Sequence, residues 1–262
     1  MTISLAKPPA RPASLSPCLE STLVQTRMQR VPTFHQHGFT LVEIAIVMFI
    51  VALLLGGMLL PLSAQQDLRQ RQETEKSLND IRDALMGYAV VNGYLPCPAD
   101  LSTGGAEAAR VTGACPIRVG LVPWTTLGLG HLDAWGHLFR YSVTPAFSNS
   151  GIGPITKCTL ASTGDILIQT LGAQTLASNV PATVVSHGKN GAWAYTEAGI
   201  QIADSANLNT DEDTNAAAAG TNFVSRTPSA PSAVAPGEFD DLVVWVPAST
   251  LFNRMVAARK LP

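Results

Sequence analysis

The chain has 262 residues, of which 46% are hydrophobic and 14% charged, and its formal net charge is −2. This length allows one sizeable domain or two small ones. Because there is no excess of basic residues, the composition gives no indication of nucleic-acid binding. The low share of charged residues favours an exported domain rich in loops and short strands.

The first 38 residues are rich in Pro and Ser and show no apolar periodicity. We interpret residues 1–38 as a leader and leave them out of the fold. Met28 is a second candidate start, which would make this leader much shorter.

An almost purely apolar run follows, about 22 residues from Phe39 to Leu60, with one acid, Glu43, near its start. A helix of this length spans a hydrocarbon core of about 30 Å. A cleavable secretory signal has a shorter apolar core of about 7–15 residues. We therefore predict a membrane-spanning helix over residues 39–62.

Basic residues set the expected orientation of this helix. Arg27 and Arg30 precede the apolar run. The positive-inside rule then predicts an N-terminus in the cytoplasm and a C-terminal domain in the periplasm, with a single pass through the inner membrane.

The apolar run opens with Gly38-Phe39-Thr40-Leu41-Val42-Glu43. This hexapeptide resembles, residue for residue, the N-terminal signal of type IV pilins and type II secretion pseudopilins. The resemblance implies that a prepilin peptidase cuts between Gly38 and Phe39 and then N-methylates Phe39. It also implies that the apolar segment stays on the subunit and later packs in the core of a helical filament.

The resemblance gives Glu43 a physical role. Cleavage would leave a positively charged amine on Phe39. In a low-dielectric core each charge is costly alone, so Glu43 of one subunit would pair with the Phe39 amine of its neighbour and set their axial offset. The alternative is that Glu43 is an interfacial acid extending to water from the helix end.

An amphipathic pattern predicts that the helix continues over residues 63–92, with Asn92-Gly93 as its end. The resemblance implies an α+β, pilin-like fold in which a long N-terminal helix, transmembrane in its first half, packs on a small antiparallel sheet. The apolar residues of the second half are Leu68, Leu78, Ile81, Leu85 and Tyr88.

Residues 93–262 are predicted to form a β-rich periplasmic domain with a flexible insert at about 203–237, which is rich in Ala, Ser, Asn and Pro. A short closing helix is predicted from Ser249 to Lys260. The predicted strands are short, often β-branched or aromatic, and separated by turn residues: Leu138–Val143, Asp165–Leu171, Thr183–Val185, Ala192–Tyr195 and Leu242–Val246.

Cys97 and Cys115 flank a Gly-rich loop. In an oxidising compartment they can form a disulfide that closes a loop of about 18 residues and contributes about 3 kcal/mol. A zinc site is the alternative, but the spacing fits none of the usual patterns. Cys158 is left without an assigned partner.

Two further blocks resemble the major type II pseudopilins. Asp133 to Val143 (DAWGHLFRYSV) resembles their Asp-Pro-Trp-Gly block, with Ala in place of Pro. Ser186 to Gly191 (SHGKNG) and Phe239 to Trp245 (FDDLVVW) resemble the two halves of their calcium site, here about 50 residues apart.

By position, the resemblance implies Asn190, Asp240 and Asp241 as calcium ligands. Asn190 stands where the family has an Asp, so it would be a neutral ligand, and calcium requires six to eight oxygens. The alternative is an Asn-Gly turn with two aspartates at a strand edge. Asp211 to Asn215 resembles the start of another calcium loop, but it lacks the Gly and the closing Glu.

Enzyme signatures are missing: the sequence has no Gly-x-Ser-x-Gly, His-Glu-x-x-His or phosphate loop. His131, Asp133 and His137 bracket Trp135 and form an alternative metal cluster, although structural roles are favoured for them. We therefore predict no enzymatic activity and no certain cofactor, with calcium as the candidate.

The combined interpretation is a structural subunit of a type II secretion pseudopilus or a type IV pilus, and its size favours a minor subunit. Its expected partners are a prepilin peptidase, other pilin or pseudopilin subunits, an inner-membrane assembly platform and membrane lipid, with no nucleic acid. The rival is a membrane-anchored periplasmic binding protein or hydrolase with an ordinary signal anchor, which needs neither Gly38 nor Glu43. A DNA-uptake or adhesive pilin would require a basic or aromatic patch that the sequence does not show.

Overall fold

The structure is a computed structural model that describes residues 39–152, 157–204, 209–232 and 234–261, without the side chains of residues 56–62. The predictions for residues 1–38, including Gly38, lie outside the described residues. The chain divides into two compact units, one ending at Leu54 and the other beginning at Leu55.

Helices and strands alternate irregularly along the chain, as in an α+β fold. In chain order they are α1 (Leu41–Asn92), β1 (Val119–Leu121), α2 (Trp124–Leu127), β2 (His137–Leu138), β3 (Arg140–Val143), α3 (Pro145–Ser148), β4 (Ile166–Thr170), β5 (Gln174–Val180), β6 (Ala182–Ser186), β7 (Tyr195–Thr196), α4 (Thr210–Ala216), β8 (Asn222–Val224), β9 (Leu242–Val246) and α5 (Ala248–Ala257).

The first part of α1 exposes its large apolar side chains. Among residues 39–55 they are all exposed, from 42% for Val51 to 86% for Leu41. A prediction from the sequence was a membrane-spanning helix over residues 39–62. In the part of the chain that the structure describes, no helix is both long and apolar enough to cross a membrane.

In the second unit, α1 ends at Asn92, the predicted end, and Gly93 follows with φ +83°. This left-handed conformation favours glycine, which explains the stop. The helix packs on a four-stranded antiparallel sheet of order β1-β3-β6-β9. The buried residues that α1 contributes to this core are Leu78, Ile81, Leu85, Met86 and Ala89.

Strands alternate their side chains between the two faces of this sheet. Tyr141, Val143 and Val184 belong to the core with α1, and α5 adds Leu251 and Met255 to it. A second, smaller core lies around Val185 and Val243 of the same strands and includes Ile166, Ile168 and Phe223. The sheet therefore has apolar layers on both of its faces.

The prediction of a small antiparallel sheet packed on the helix is confirmed by the four-stranded sheet, and two smaller sheets were not predicted. A two-stranded sheet, β2-β7, and a three-stranded sheet, β5-β4-β8, accompany the main sheet, and β4 pairs with β8 in parallel. Strand β5 was not predicted because almost all of its side chains are polar or exposed, so it lacks an apolar face.

The expected loop at 203–237 is wrong for residues 210–216 and 222–224, which form α4 and β8. Asn215 explains the order locally, because its side-chain amide binds both the N–H and the C=O of Val224. The predicted strand Ala192–Tyr195 is also wrong except at its last residue. Trp193 has φ +65° there, a conformation outside the extended region.

Candidate functional site

The N-terminal motif begins α1 with a capping box. The Glu43 N–H donates to Thr40 Oγ1 at 3.2 Å, and the Thr40 N–H donates to Glu43 Oε2 at 3.4 Å. These two bonds satisfy backbone donors that a helix start otherwise leaves unpaired. Glu43 therefore has a role within its own chain, which the Thr-x-x-Glu spacing signals and which was not among the sequence predictions.

A buried acid cluster forms where α4 meets the residues just before β9. Glu212, Asp240 and Asp241 each offer a carboxylate oxygen, and these oxygens lie within 4.8 Å of one another. In the described part of the chain this is the one group of three or more His, Cys, Asp or Glu residues arranged to hold a metal ion. Glu212 comes from the insert, which the sequence analysis had assigned to a loop.

Asn190 contacts this cluster as a hydrogen-bond donor. Its backbone N–H donates to Asp240 Oδ2 at 2.8 Å, and its side-chain amide donates to both Glu212 oxygens at 3.0 and 3.2 Å. Its own Oδ1 accepts the N–H of Ala192 at 3.0 Å. Asn190 thus supports the cluster through hydrogen bonds, and Glu212 is the third carboxylate that stands beside Asp240 and Asp241.

Burial raises the pKa of Asp240 to about 7, with the Asn190 N–H opposing and the charges of Glu212 and Asp241 adding to the rise. Burial also raises the pKa of Glu212, with Asp241 adding to it. Both shifts have the same cause: three carboxylates are crowded together away from water.

Several acceptor oxygens at the cluster have no hydrogen-bond partner. Asp240 Oδ1, Asp241 Oδ1 and Asn209 Oδ1 are all buried and unpaired. Asn209 is tied to the cluster because its amide donates to Glu212 Oε2 at 2.7 Å. Buried unpaired acceptors are rare in folded proteins, and a hard cation bound by oxygens would satisfy them.

The loop Ser186–Gly191 is held against these acids. His187 Nδ1 lies 3.5 Å from Asp241 Oδ1. Gly188 has φ +60°, and a Cβ there would collide with the Asp240 side chain. Only glycine allows the backbone to approach this carboxylate so closely.

Two side-chain contacts connect this loop to distant parts of the second unit. Ser186 Oγ donates to Asp133 Oδ2 at 2.7 Å, and Lys189 Nζ lies 2.9 and 2.8 Å from the two Asp67 oxygens on α1. The loop that resembles a calcium loop is therefore positioned by α1 as well as by the acids.

The Asp133–Gly136 turn has a structural role. Asp133 Oδ1 accepts the N–H groups of Trp135 and His137 at 3.0 and 2.8 Å, and the N–H of Ala134 donates to Thr74 Oγ1 on α1. His131 lies instead 3.4 Å from Glu197. The alternative cluster of His131, Asp133 and His137 therefore does not form.

Cys97 and Cys115 are joined by a disulfide, with their Cα atoms 5.4 Å apart. This excludes the zinc alternative for the pair. Cys158 is free and buried, in the core beneath α1.

Residues 33–59 match the family model described as the prokaryotic N-terminal methylation motif. The chain thus carries a type IV pilin-like signal, which marks it as a pilin-type substrate of a prepilin peptidase and indicates a structural protein. Such a signal implies membrane-associated assembly with other pilin subunits. Comparison with curated proteins and with solved structures gives no match.

Proposed function

We propose that this chain is a structural subunit, of the minor type, of a type II secretion pseudopilus or a type IV pilus. The match of residues 33–59 to the N-terminal methylation motif carries the proposal. Prepilin peptidase cuts between Gly38 and Phe39, and the new terminal Phe39 is N-methylated. The mature subunit then assembles through its N-terminal helix.

The exposed apolar segment supports this mode of assembly. Every large apolar side chain of residues 39–55 is exposed in the isolated chain. Such a surface, apolar on all sides of a helix, finds its partners in lipid before assembly and in neighbouring helices afterwards. The segment 39–62 is then the inner-membrane anchor, the C-terminal domain is periplasmic, and an inner-membrane platform drives assembly.

Glu43 would exchange partners during assembly. In the isolated chain its carboxylate binds the Thr40 N–H at 3.4 Å, the long end of hydrogen-bond distances. The amine of a neighbouring Phe39 carries a full charge and is a stronger partner in a low-dielectric core. The exchange therefore favours the register in which the two charges meet.

N-terminal mass spectrometry tests this proposal. The protein is expressed with and without the host's prepilin peptidase. We expect a chain that starts at N-methyl-Phe39 in the first case and an uncut chain in the second. Gly38→Val should block the cut, while His37→Ala, a change one residue outside the cleaved bond, should not.

An uncut chain in the presence of the peptidase, or a cut near Ala64, would overturn the proposal. The rival, a periplasmic binding protein or hydrolase with an ordinary signal anchor, would then replace it.

We propose as a second function that the acid cluster binds Ca²⁺ through Glu212, Asp240 and Asp241. The unpaired, buried oxygens of Asp240, Asp241 and Asn209 favour it. The donors are all oxygens, which suits a hard cation, and backbone carbonyls or water would complete the six to eight ligands.

Thermal and chemical unfolding of the full chain in detergent, in CaCl₂ and in EDTA, tests the cation site. At a Ca²⁺ concentration 100 times Kd, the free energy of unfolding should rise by about 2.7 kcal/mol. Glu212→Gln should remove this gain. Glu197→Gln, the same change on an exposed side chain outside the cluster, should keep it. Equal unfolding in CaCl₂ and EDTA would contradict the site.

A further inference from the structure

A separate cleft of about 260 Å³ lies on the sheet face that carries Arg140. Leu101, Ile117 and Leu121 form apolar walls, and Trp193 and Tyr195 add two aromatic rings. None of the three clustered carboxylates lines it. The volume is just below the range of about 300–1,000 Å³ that is typical of drug-sized ligands, so the cleft suits a smaller molecule.

Two nitrogen-bearing side chains stand together in this cleft, Arg140 from β3 and His187 just after β6. Arg140 pairs with Val185 across the two strands, and His187 follows two residues after Val185. Residues two apart on a strand face the same side, so both side chains project from one face of the sheet. Both line the cleft.

Arg140 keeps an unused donor. Its Nη2 donates to the carbonyls of Ala216 and Ala217 at 2.9 and 2.8 Å, but its buried Nε has no hydrogen-bond partner. Among the described residues, Arg140 also forms no ion pair. The Asp241 charge also acts on this guanidinium. A half-buried guanidinium whose direct partners are neutral carbonyls favours a bound anion.

His187 is 1% exposed, and neither of its ring nitrogens has a hydrogen-bond partner. The Asp241 carboxylate at 3.5 Å lies beyond good hydrogen-bond geometry. One ring nitrogen of a neutral imidazole always carries a proton, so His187 supplies a second unused donor. Buried donors without partners are rare, and the nearest acceptor to this ring is Asp241 Oδ1, which is itself unpaired.

We propose that this cleft binds a small monocarboxylate with a flat apolar body. The carboxylate pairs with the guanidinium of Arg140, with the His187 ring beside it, and the apolar body packs between Trp193, Tyr195 and the aliphatic wall. A single guanidinium matches a single negative charge, and the apolar walls disfavour phosphate. Asp100 also lines the cleft, but it is exposed at the rim, where its carboxylate binds the Ser102 N–H.

Ligand-observed ¹⁹F NMR on the full chain in detergent micelles tests this proposal. The probe is 4-fluorophenylacetate, its neutral counterpart is 4-fluorophenylacetamide, and empty micelles correct for partition into detergent. We expect the ¹⁹F signal of the acid to broaden when the protein is added. The dissociation constant should be about 1 mM, a value suited to a ligand of this size. The amide should bind at least about tenfold more weakly, because an amide brings no charge to Arg140.

Two variants and a matched control locate the binding. Leu101→Trp fills the cleft from a side chain that is 45% exposed, and it should abolish the broadening. Leu171→Trp, at a leucine that is 57% exposed and does not line the cleft, should keep it. Arg140→Gln, checked for folding by circular dichroism, should weaken the binding of the acid until it equals that of the amide.

Equal binding of acid and amide would overturn the proposal, as would unchanged binding in Leu101→Trp. The absence of any broadening in the wild-type chain would overturn it as well. None of these results depends on processing at Phe39.

Discussion

The functional signals of the segment 39–55 and of the domain that begins at Leu55 are distributed differently along the sequence. In the first, the signal is contiguous: the methylation motif matches residues 33–59, and the large apolar side chains of residues 39–55 are exposed. In the second, the acid cluster unites Glu212 of α4 with residues just before β9, and Glu212 and Asp240 are 28 residues apart. A contiguous motif can be recognised by enzymes and neighbouring subunits without the folded domain, whereas a dispersed cluster forms only in the folded chain.

The largest expected effect is at Glu43. Changing this residue should impair assembly through the segment 39–55 and leave the folding of the second unit intact. Glu43→Gln keeps an oxygen for the Thr40 N–H, so the capping box survives, but it removes the charge. We expect assembly, measured by crosslinking between subunits, to fall roughly tenfold or more, because a buried charge without a partner costs several kcal/mol.

Thr40→Ala is the matched control for Glu43→Gln. It removes the Thr40 Oγ1 acceptor, costs the helix start about 1 kcal/mol and keeps the charge. We expect it to assemble. Normal assembly of Glu43→Gln with failure of Thr40→Ala would assign Glu43 to capping alone.

Changing Asp133 should break the second region without affecting the first. Asp133→Ala leaves the N–H groups of Trp135 and His137 and the hydroxyl of Ser186 unpaired. We expect a loss of about 3–5 kcal/mol in urea unfolding, since each buried unpaired donor costs about 1–3 kcal/mol. The chain should still be cut at Phe39, and a normal unfolding free energy would contradict the role of this turn.

Removing the disulfide should destabilise the domain by slightly less. The Cys97→Ala, Cys115→Ala variant opens a loop with a sequence separation of 18, for which chain entropy predicts about 3 kcal/mol. Urea unfolding of this variant and of Cys158→Ser separates the bridge from the free thiol. An unchanged midpoint in the double variant would show that the bridge does not stabilise the native chain.

The smallest expected effect is at Asp165. Burial raises the pKa of Asp165, but hydrogen bonds from Arg118 and Thr144 outweigh burial and hold this pKa below its ordinary value. A lowered pKa contributes stability that is present above about pH 3.8 and is lost as the pH falls through the folded value. The measurement is the free energy of unfolding at pH 7 and at pH 3.5. Asp165→Asn should reduce the difference between the two values by less than about 1 kcal/mol, because the pair is half-exposed.

Sequence patterns predicted the elements with an apolar face. The end of α1 at Asn92 and the strand Leu242–Val246 match the structure because burial imposes their periodicity. Strand β5 and the helix α4 were missed because their side chains are largely polar, and hydrogen bonds such as that of Asn215 to Val224 hold the insert in place. Hydrogen bonds of this kind produce no periodic pattern in the sequence.

The candidate site was predicted in part for the same reason. Asp240 and Asp241 follow from local resemblance. Glu212 does not, because only the tertiary fold brings α4 beside the loop Ser186–Gly191. The unpaired donors of Arg140 and His187 are likewise invisible in sequence, since they depend on what the surrounding backbone leaves unsatisfied.

The many anchors of the loop Ser186–Gly191 have a consequence for the order of folding. Its contacts join residues separated by 122, 53, 50 and 22 positions along the chain. Non-local contacts of this kind form late in folding, because the entropy cost of closing the loop must be overcome first. At the proposed Ca²⁺ site, a cation would therefore meet all three carboxylates only once the chain has reached its native topology, so cation binding would report the completion of folding.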